Sequence, residues 1–112
     1  MVSPKRIATA TDENIGVLIA GSVDKPLVID FWAEWCGPCK MMEEPFENMA
    51  EAHSEVTFAK YNTDENPGAS HTFNVMGIPT FIIFQNGEEV GRIVGALPEG
   101  KFWEAIVETL GK

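Results

Sequence analysis

The chain has 112 residues, 45% of them hydrophobic and 22% charged, the size and balance of one soluble globular domain spanning residues 1–112. Eight lysines and arginines stand against 17 aspartates and glutamates, a formal charge of −9 that repels phosphate backbones and argues against nucleic-acid binding or a polybasic membrane anchor. No run approaches the roughly 18 apolar residues of a membrane span, the N-terminus lacks the apolar stretch of a secretory leader, and two cysteines are too few for a disulfide framework, so a reducing cytoplasm is the expected location.

The pattern alternates short β-like runs with helical ones. Residues 6–9 read as a first strand. Thr11 and Asp12 then offer capping oxygens for a helix through residues 14–20, with Gly21 as its stop. Residues 27–32, a near-continuous apolar run rich in β-branched and aromatic side chains, read as a central strand buried on both faces. A helix follows from about residue 38 to 52, with Met42, Phe46, Met49 and Ala50 on one face. Pro45 sits inside it, removes one backbone hydrogen bond and predicts a kink. Residues 56–61 form the next strand, 62–68 a polar turn and 69–73 a short helix. Asn86-Gly87 is a strong hairpin turn between strands at 80–84 and 88–94. Pro98 opens a last helix with Phe102, Ile106 and Leu110 along one face. The expected order, β-α-β-α-β-α-β-β-α, is an α/β fold with a mixed sheet covered by helices on both sides.

The segment that carries chemistry is Trp35-Cys36-Gly37-Pro38-Cys39-Lys40. A cysteine at the start of a helix lies where unpaired backbone N–H groups favour an anion, and the thiolate is the reactive form. The second cysteine, one turn further in and more covered, is within reach of a sulfur captured by the first. That arrangement performs thiol–disulfide exchange: Cys36 attacks a disulfide, then Cys39 attacks Cys36 and closes the Cys36–Cys39 bond. Gly37 permits the tight turn and Pro38 presets φ in the first helical turn. Trp35 and Pro38 leave a flat apolar surface around the thiol. A zinc site is not expected: His53 follows Cys39 at a finger-like distance, but the next histidine, His71, is too far away.

Residues 30–40, Asp-Phe-Trp-Ala-Glu-Trp-Cys-Gly-Pro-Cys-Lys, resemble the active-site signature of the thioredoxin family. Phe58-Ala59-Lys60, Asn62-Thr63-Asp64, Gly77-Ile78-Pro79-Thr80, Asn86-Gly87-Glu88 and Val94-Gly95-Ala96 fall in the family's order and spacing. The resemblance implies a thioredoxin fold, a central sheet of about five strands flanked by four helices. It implies a protein disulfide reductase and electron carrier with no bound cofactor. The protein would act as a monomer with a thioredoxin reductase and disulfide-containing client proteins. It also implies a cis peptide bond at Ile78-Pro79 facing the disulfide, and a shallow groove of Trp35, Gly77, Ile78, Pro79, Gly95 and Ala96 that pairs with an extended client segment. One departure is that the family's kink proline comes five residues after the second cysteine. Here Glu44 holds that place and Pro45 follows.

Asp30 is the only ionisable group in its apolar run, and a carboxylate there is costly and has a raised pKa. It is either a structural aspartate satisfied locally or a general base for Cys39, and the resemblance favours the base. Lys60 is either a strand-end lysine in water or a charge that tunes Asp30. His53, ending a helix, and His71 read as surface residues. Met41-Met42 read as packing, and Glu43, Glu44, Glu47 and Glu51 as a solvated helix face. Two rival functions remain at this point: a disulfide oxidase or isomerase of the same fold, and an interaction module whose thiols are incidental.

Overall fold

The computed structural model describes residues 6–111; Met1–Lys5 and Lys112, which the expected 1–112 domain includes, lie outside it. Five strands are present among the described residues: β1 (Ile7–Ala10), β2 (Leu27–Trp32), β3 (Thr57–Asn62), β4 (Thr80–Gln85) and β5 (Glu88–Val94). The helices are α1 (Ile15–Ala20), α2 (Gly37–Met41), α3 (Glu43–Ala52), α4 (Pro67–Thr72) and α5 (Glu99–Thr109). One 3-10 turn, Gly21–Val23, follows α1. With α2 and α3 counted as one broken helix, this is the expected five-stranded mixed sheet with four helices.

The strands lie in the order β1-β3-β2-β4-β5. β3 pairs in parallel with β1 and β2, whereas β4 runs antiparallel to both β2 and β5. Alternation along the strands sends successive side chains to opposite faces. On one face Val28, Phe58, Phe81 and Ile83 pack against Met42, Phe46 and Met49 of the broken helix and Phe102 and Ile106 of α5. Phe46 sits at the centre, its ring centroid 5.3 Å from that of Phe58 and 5.8 Å from that of Phe81. On the other face Ile29, Phe31, Tyr61, Ile82 and Phe84 pack against Ile15 of α1 and Ala69 of α4.

The expected kink falls at Met42, between α2 and α3. A helical Pro45 has no N–H for the carbonyl of Met41, and its ring crowds that turn, so the helix breaks there and restarts with Phe46 N–H donating to Met42 O at 3.0 Å. Glu44, in the family's proline position, is exposed. The Met41-Met42 pair divides: Met42 is buried, Met41 exposed.

Two local expectations need correction. The N-cap of α1 is Asn14, and Thr11 closes the turn ahead of it reciprocally: Thr11 Oγ1 accepts from Asn14 N–H and Asn14 Oδ1 accepts from Thr11 N–H. Asp12 instead reaches across to α4, accepting from Gly68 N–H at 2.9 Å, Ala69 N–H at 2.8 Å and the Tyr61 hydroxyl at 2.6 Å. The second concerns His53, which is half-buried and stacks on Trp103 with ring centroids 3.5 Å apart.

Candidate active site

The site lies at the carboxyl end of β2, where the chain leaves the sheet through Ala33 and enters α2. Cys36 is the N-cap of α2, with extended backbone, and Pro38 falls in the first helical turn. Cys36 Sγ accepts a hydrogen bond from Cys39 N–H at 3.2 Å. The two sulfurs are bonded to each other, with the Cα atoms 5.2 Å apart. Both cysteines are buried, at 3% and 2% relative exposure, so the expected difference in cover is small. They pack against Ala33, Trp32 and Ile78.

Opposite the disulfide runs the loop 73–79. Its Ile78-Pro79 bond is cis, and Ile78 O lies 3.7 Å from Cys36 Sγ. Trp35, Gly77 and Ile78 line one hollow of about 310 Å³, together with Met76 and Val75. Trp35 is 71% and Met76 87% exposed, an apolar rim beside an otherwise acidic surface. The other groove residues sit differently. Pro79 is buried, and its carbonyl accepts from Gly95 N–H at 2.8 Å. Gly95 has φ +94°, a conformation that favours glycine. Ala96 lines a neighbouring hollow with Met41 and Leu97. Met76 could have been read from the sequence, since it directly precedes Gly77; Val75 carried no such signal.

Asp30 lies in the middle of β2 at 1% exposure, on the same strand face as Val28 and therefore on the side covered by the broken helix. Its Oδ1 has no hydrogen-bond partner. Burial pushes the carboxyl up to about 7, against the lowering pull of the Lys60 ammonium and with a smaller upward push from Glu43. Lys60 is the register partner of Asp30 on β3. Its Nζ lies 4.2 Å from the centroid of the Trp32 ring and 4.0 Å from Glu43 Oε2. Lys40 is held by Glu34 at 3.0 Å and, more loosely, by Glu43. Glu43 is therefore more than a solvated face: it sits between two lysines next to the site.

Among the described residues no cluster of three or more His, Cys, Asp or Glu could hold a metal, and no helix is long and apolar enough to cross a membrane. The arrangement supplies a reversible two-electron couple, a sulfur held by a backbone amide, and a buried group able to exchange a proton near neutral pH.

Comparison with known proteins agrees. The sequence model of the family described as Thioredoxin matches residues 6–108. The thioredoxin of Alicyclobacillus acidocaldarius is 45% identical over 103 residues, covering 91% of this chain and 96% of that protein. The thioredoxin of Chlorobaculum thiosulfatiphilum is 40% identical over 103 residues, covering 91% and 94%. A bifunctional thioredoxin reductase/thioredoxin of Mycobacterium leprae is 50% identical over 76 residues, 67% of this chain and 17% of that protein. A chain solved in work on the thiol-resolving mechanism of yeast mitochondrial 1-Cys peroxiredoxin superposes with a TM-score of 0.82 at 33% identity, covering 91% of this chain and 94% of that one. Such similarity, running from the first strand into the last helix and meeting a bonded cysteine pair one helical turn wide, means that the chain belongs to the thioredoxin family, the thiol–disulfide oxidoreductases.

Proposed function

We propose that this protein reduces client disulfides with Cys36 as the attacking sulfur, Cys39 as the resolving sulfur and Asp30 as the proton acceptor. The observation that carries the reading is the Cys36–Cys39 bond at the start of α2, with Cys39 N–H directed at Cys36 Sγ. A donated hydrogen bond favours the thiolate over the thiol, so the sulfur that receives it is the better nucleophile in the dithiol form.

In the first step the Cys36 thiolate attacks one sulfur of a client disulfide. A mixed disulfide forms, and the client's other sulfur leaves as a thiolate that takes a proton from water. In the second step the Cys39 thiol gives its proton to the Asp30 carboxylate and attacks Cys36 Sγ. The Cys36–Cys39 bond forms, the mixed disulfide breaks, and the client leaves with both sulfurs reduced. Two electrons have passed from the cysteine pair to the client. The exchange uses sulfur alone and requires no bound cofactor; an external reductase must restore the dithiol. The relative that joins a thioredoxin reductase to a thioredoxin in one chain supports such a donor. The carrier is proposed to work as a monomer in a reducing cytoplasm.

Asp30 suits its role because a carboxyl near 7 takes and releases protons at neutral pH. Lys60 would tune that value by opposing the burial penalty. The hollow of Trp35, Gly77 and Ile78 offers apolar cover beside the disulfide to an extended client segment, with the cis Pro79, Gly95 and Ala96 shaping its far side.

Insulin reduction driven by dithiothreitol tests this reading. Cys36→Ser should abolish turnover, and Cys39→Ser should trap a mixed disulfide with the client, visible by mass. Turnover that survives Cys36→Ser would make the thiols incidental and favour an interaction module. A Cys36–Cys39 potential well above that of glutathione would favour an oxidase or isomerase.

A further inference from the structure

We propose that Arg92 is a positioning residue for disulfide reduction, a brace from the edge strand that holds the client-facing loop 73–79 in register with the Cys36 sulfur. The inference rests on the reading of that loop as the client-docking segment.

The brace depends on an irregularity in β5. Phe84 pairs with Glu89 and Ile82 with Arg92, and the register shifts between Ile83 and Phe84. A regular strand would send positions three apart to opposite faces. Here the extra residue puts Glu89 and Arg92 on the face shared by Ile82 and Phe84, which is the face covered by α4. The guanidinium then forks. Arg92 Nε donates to Glu89 Oε2 at 2.7 Å and Nη2 donates to Glu89 Oε1 at 2.8 Å. Nη2 also donates to Phe73 O at 2.9 Å, and Nη1 approaches Asn74 O at 3.5 Å.

Those two carbonyls close the C-terminal end of α4. Phe73 is its C-cap, and Asn74 turns the chain with φ +55°, after which the helix has no further N–H to offer them. The last turn is closed locally, Asn74 N–H donating to His71 O at 3.0 Å and Val75 N–H to Ser70 O at 2.8 Å, and Arg92 takes up the next two carbonyls, where the chain leads into Met76, Gly77 and Ile78. The other end of the loop is fixed by Gly95 N–H donating to Pro79 O at 2.8 Å. Besides the local bonds from Val75 N–H to Ser70 O at 2.8 Å and from the Thr80 hydroxyl to Gly77 O, the loop has two anchors from β5 and the residue just after it, and the antiparallel pairing of β5 with β4 sets the distance between them. An isolated, partly exposed ion pair contributes little. This one is bidentate, and it spends its remaining donors on backbone carbonyls, so its effect is on the geometry of the loop more than on global stability.

A loosened loop must be ordered by each client that binds, and that cost falls on client affinity. It does not fall on the sulfur chemistry, which Arg92 does not touch. The test compares wild type, Arg92→Ala, Arg92→Lys and Glu89→Gln in insulin reduction driven by dithiothreitol and, separately, in the rate at which the pre-reduced protein, freed of dithiothreitol, reduces a small aromatic disulfide such as dithiobis(nitrobenzoate), alongside thermal melts. Gly77→Leu serves as a loop control: no atom lies within 4 Å of a Cβ built at Gly77, the longer side chain narrows the hollow, and the thermal melt checks that the fold is kept. Arg92→Ala should raise KM for insulin about three- to tenfold, the scale of one lost charge-assisted hydrogen bond, with kcat within about twofold and the small-disulfide rate unchanged. Arg92→Lys, which keeps the charge without the fork, should fall between, and Glu89→Gln should move the same way. Amide exchange at residues 75–78 should quicken in Arg92→Ala. A KM that rises in Gly77→Leu but not in Arg92→Ala overturns the brace alone. A KM unmoved in both overturns the docking loop and the brace with it. A small-disulfide rate that falls in step with the insulin rate also overturns the brace, because it would place Arg92's effect on the thiols.

Discussion

Asp30 and Lys60 are register partners across β2 and β3, yet the lysine spreads its charge among three groups. Its ammonium lies over the Trp32 ring and beside the Glu43 carboxylate, and from there it pulls against the burial of Asp30. The aspartate is thus left with an opposing charge nearby and an unpartnered oxygen, a state between full compensation and full isolation.

That state sets a pH-dependent stability. In the folded chain Asp30 keeps its proton up to about 7, whereas the ordinary value is 3.8. The fold therefore binds this proton more tightly than the unfolded chain does. The benefit is full below about 3.8 and is lost as pH rises toward 7. About three pH units at 1.4 kcal/mol each gives a ceiling of about 4 kcal/mol. Asp30→Asn should stabilise the protein by about 2–4 kcal/mol at pH 8 and by far less at pH 4, read from urea unfolding. The same variant should slow insulin reduction at pH 7 by about a hundredfold, the low end of the usual scale for losing a general base. Equal stability of the two proteins at pH 8 would falsify the buried-charge account.

Lys60→Met removes the ammonium that lowers the Asp30 pKa. The pH profile of turnover should move to higher pH, with a loss of about two- to tenfold at pH 7 that disappears by pH 9. Carbon NMR of the Asp30 carboxyl gives the same shift directly. A lysine that merely ends a strand in water would leave both readings where they are.

Tyr61 tests the tie between α4 and the first loop. Its one hydroxyl proton is shared between Asp12 Oδ1 and Asn66 O, and its oxygen accepts from Ala69 N–H at 3.0 Å. Tyr61→Phe keeps the ring but strips partners from buried groups, so it should cost about 1–3 kcal/mol in urea unfolding with insulin turnover within about twofold. A loss of turnover without a loss of stability would instead connect this tie to the site.

Sequence patterns predict what local chemistry decides. The apolar run of β2 and β4, the glycine of the hairpin turn at φ +81° and the break ahead of Pro45 all follow from side chains acting on their own backbone. The cysteine pair belongs to the same class, because its geometry is contained in one turn of helix. The rest depends on contacts between distant segments. Asp12 reads as a cap for the helix beside it until α4 arrives from more than fifty residues away and offers better donors. Arg92 looks like one charge on an exposed strand, because nothing in Glu88–Val94 marks where the extra residue falls. His53 reads as a surface residue for the same reason, since its stacking partner comes from the last helix.

The pairing of the sheet also constrains the order in which a growing chain can assemble. β2 is flanked by Thr57–Asn62 on one side and Thr80–Gln85 on the other, and among the described residues β1 has no neighbour but β3. A nascent chain that has emerged only through its cysteines can form the first strands but cannot join them. The redox pair therefore leaves the ribosome before the scaffold that shelters it exists, and until Gln85 is out those sulfurs face the solvent without their loop.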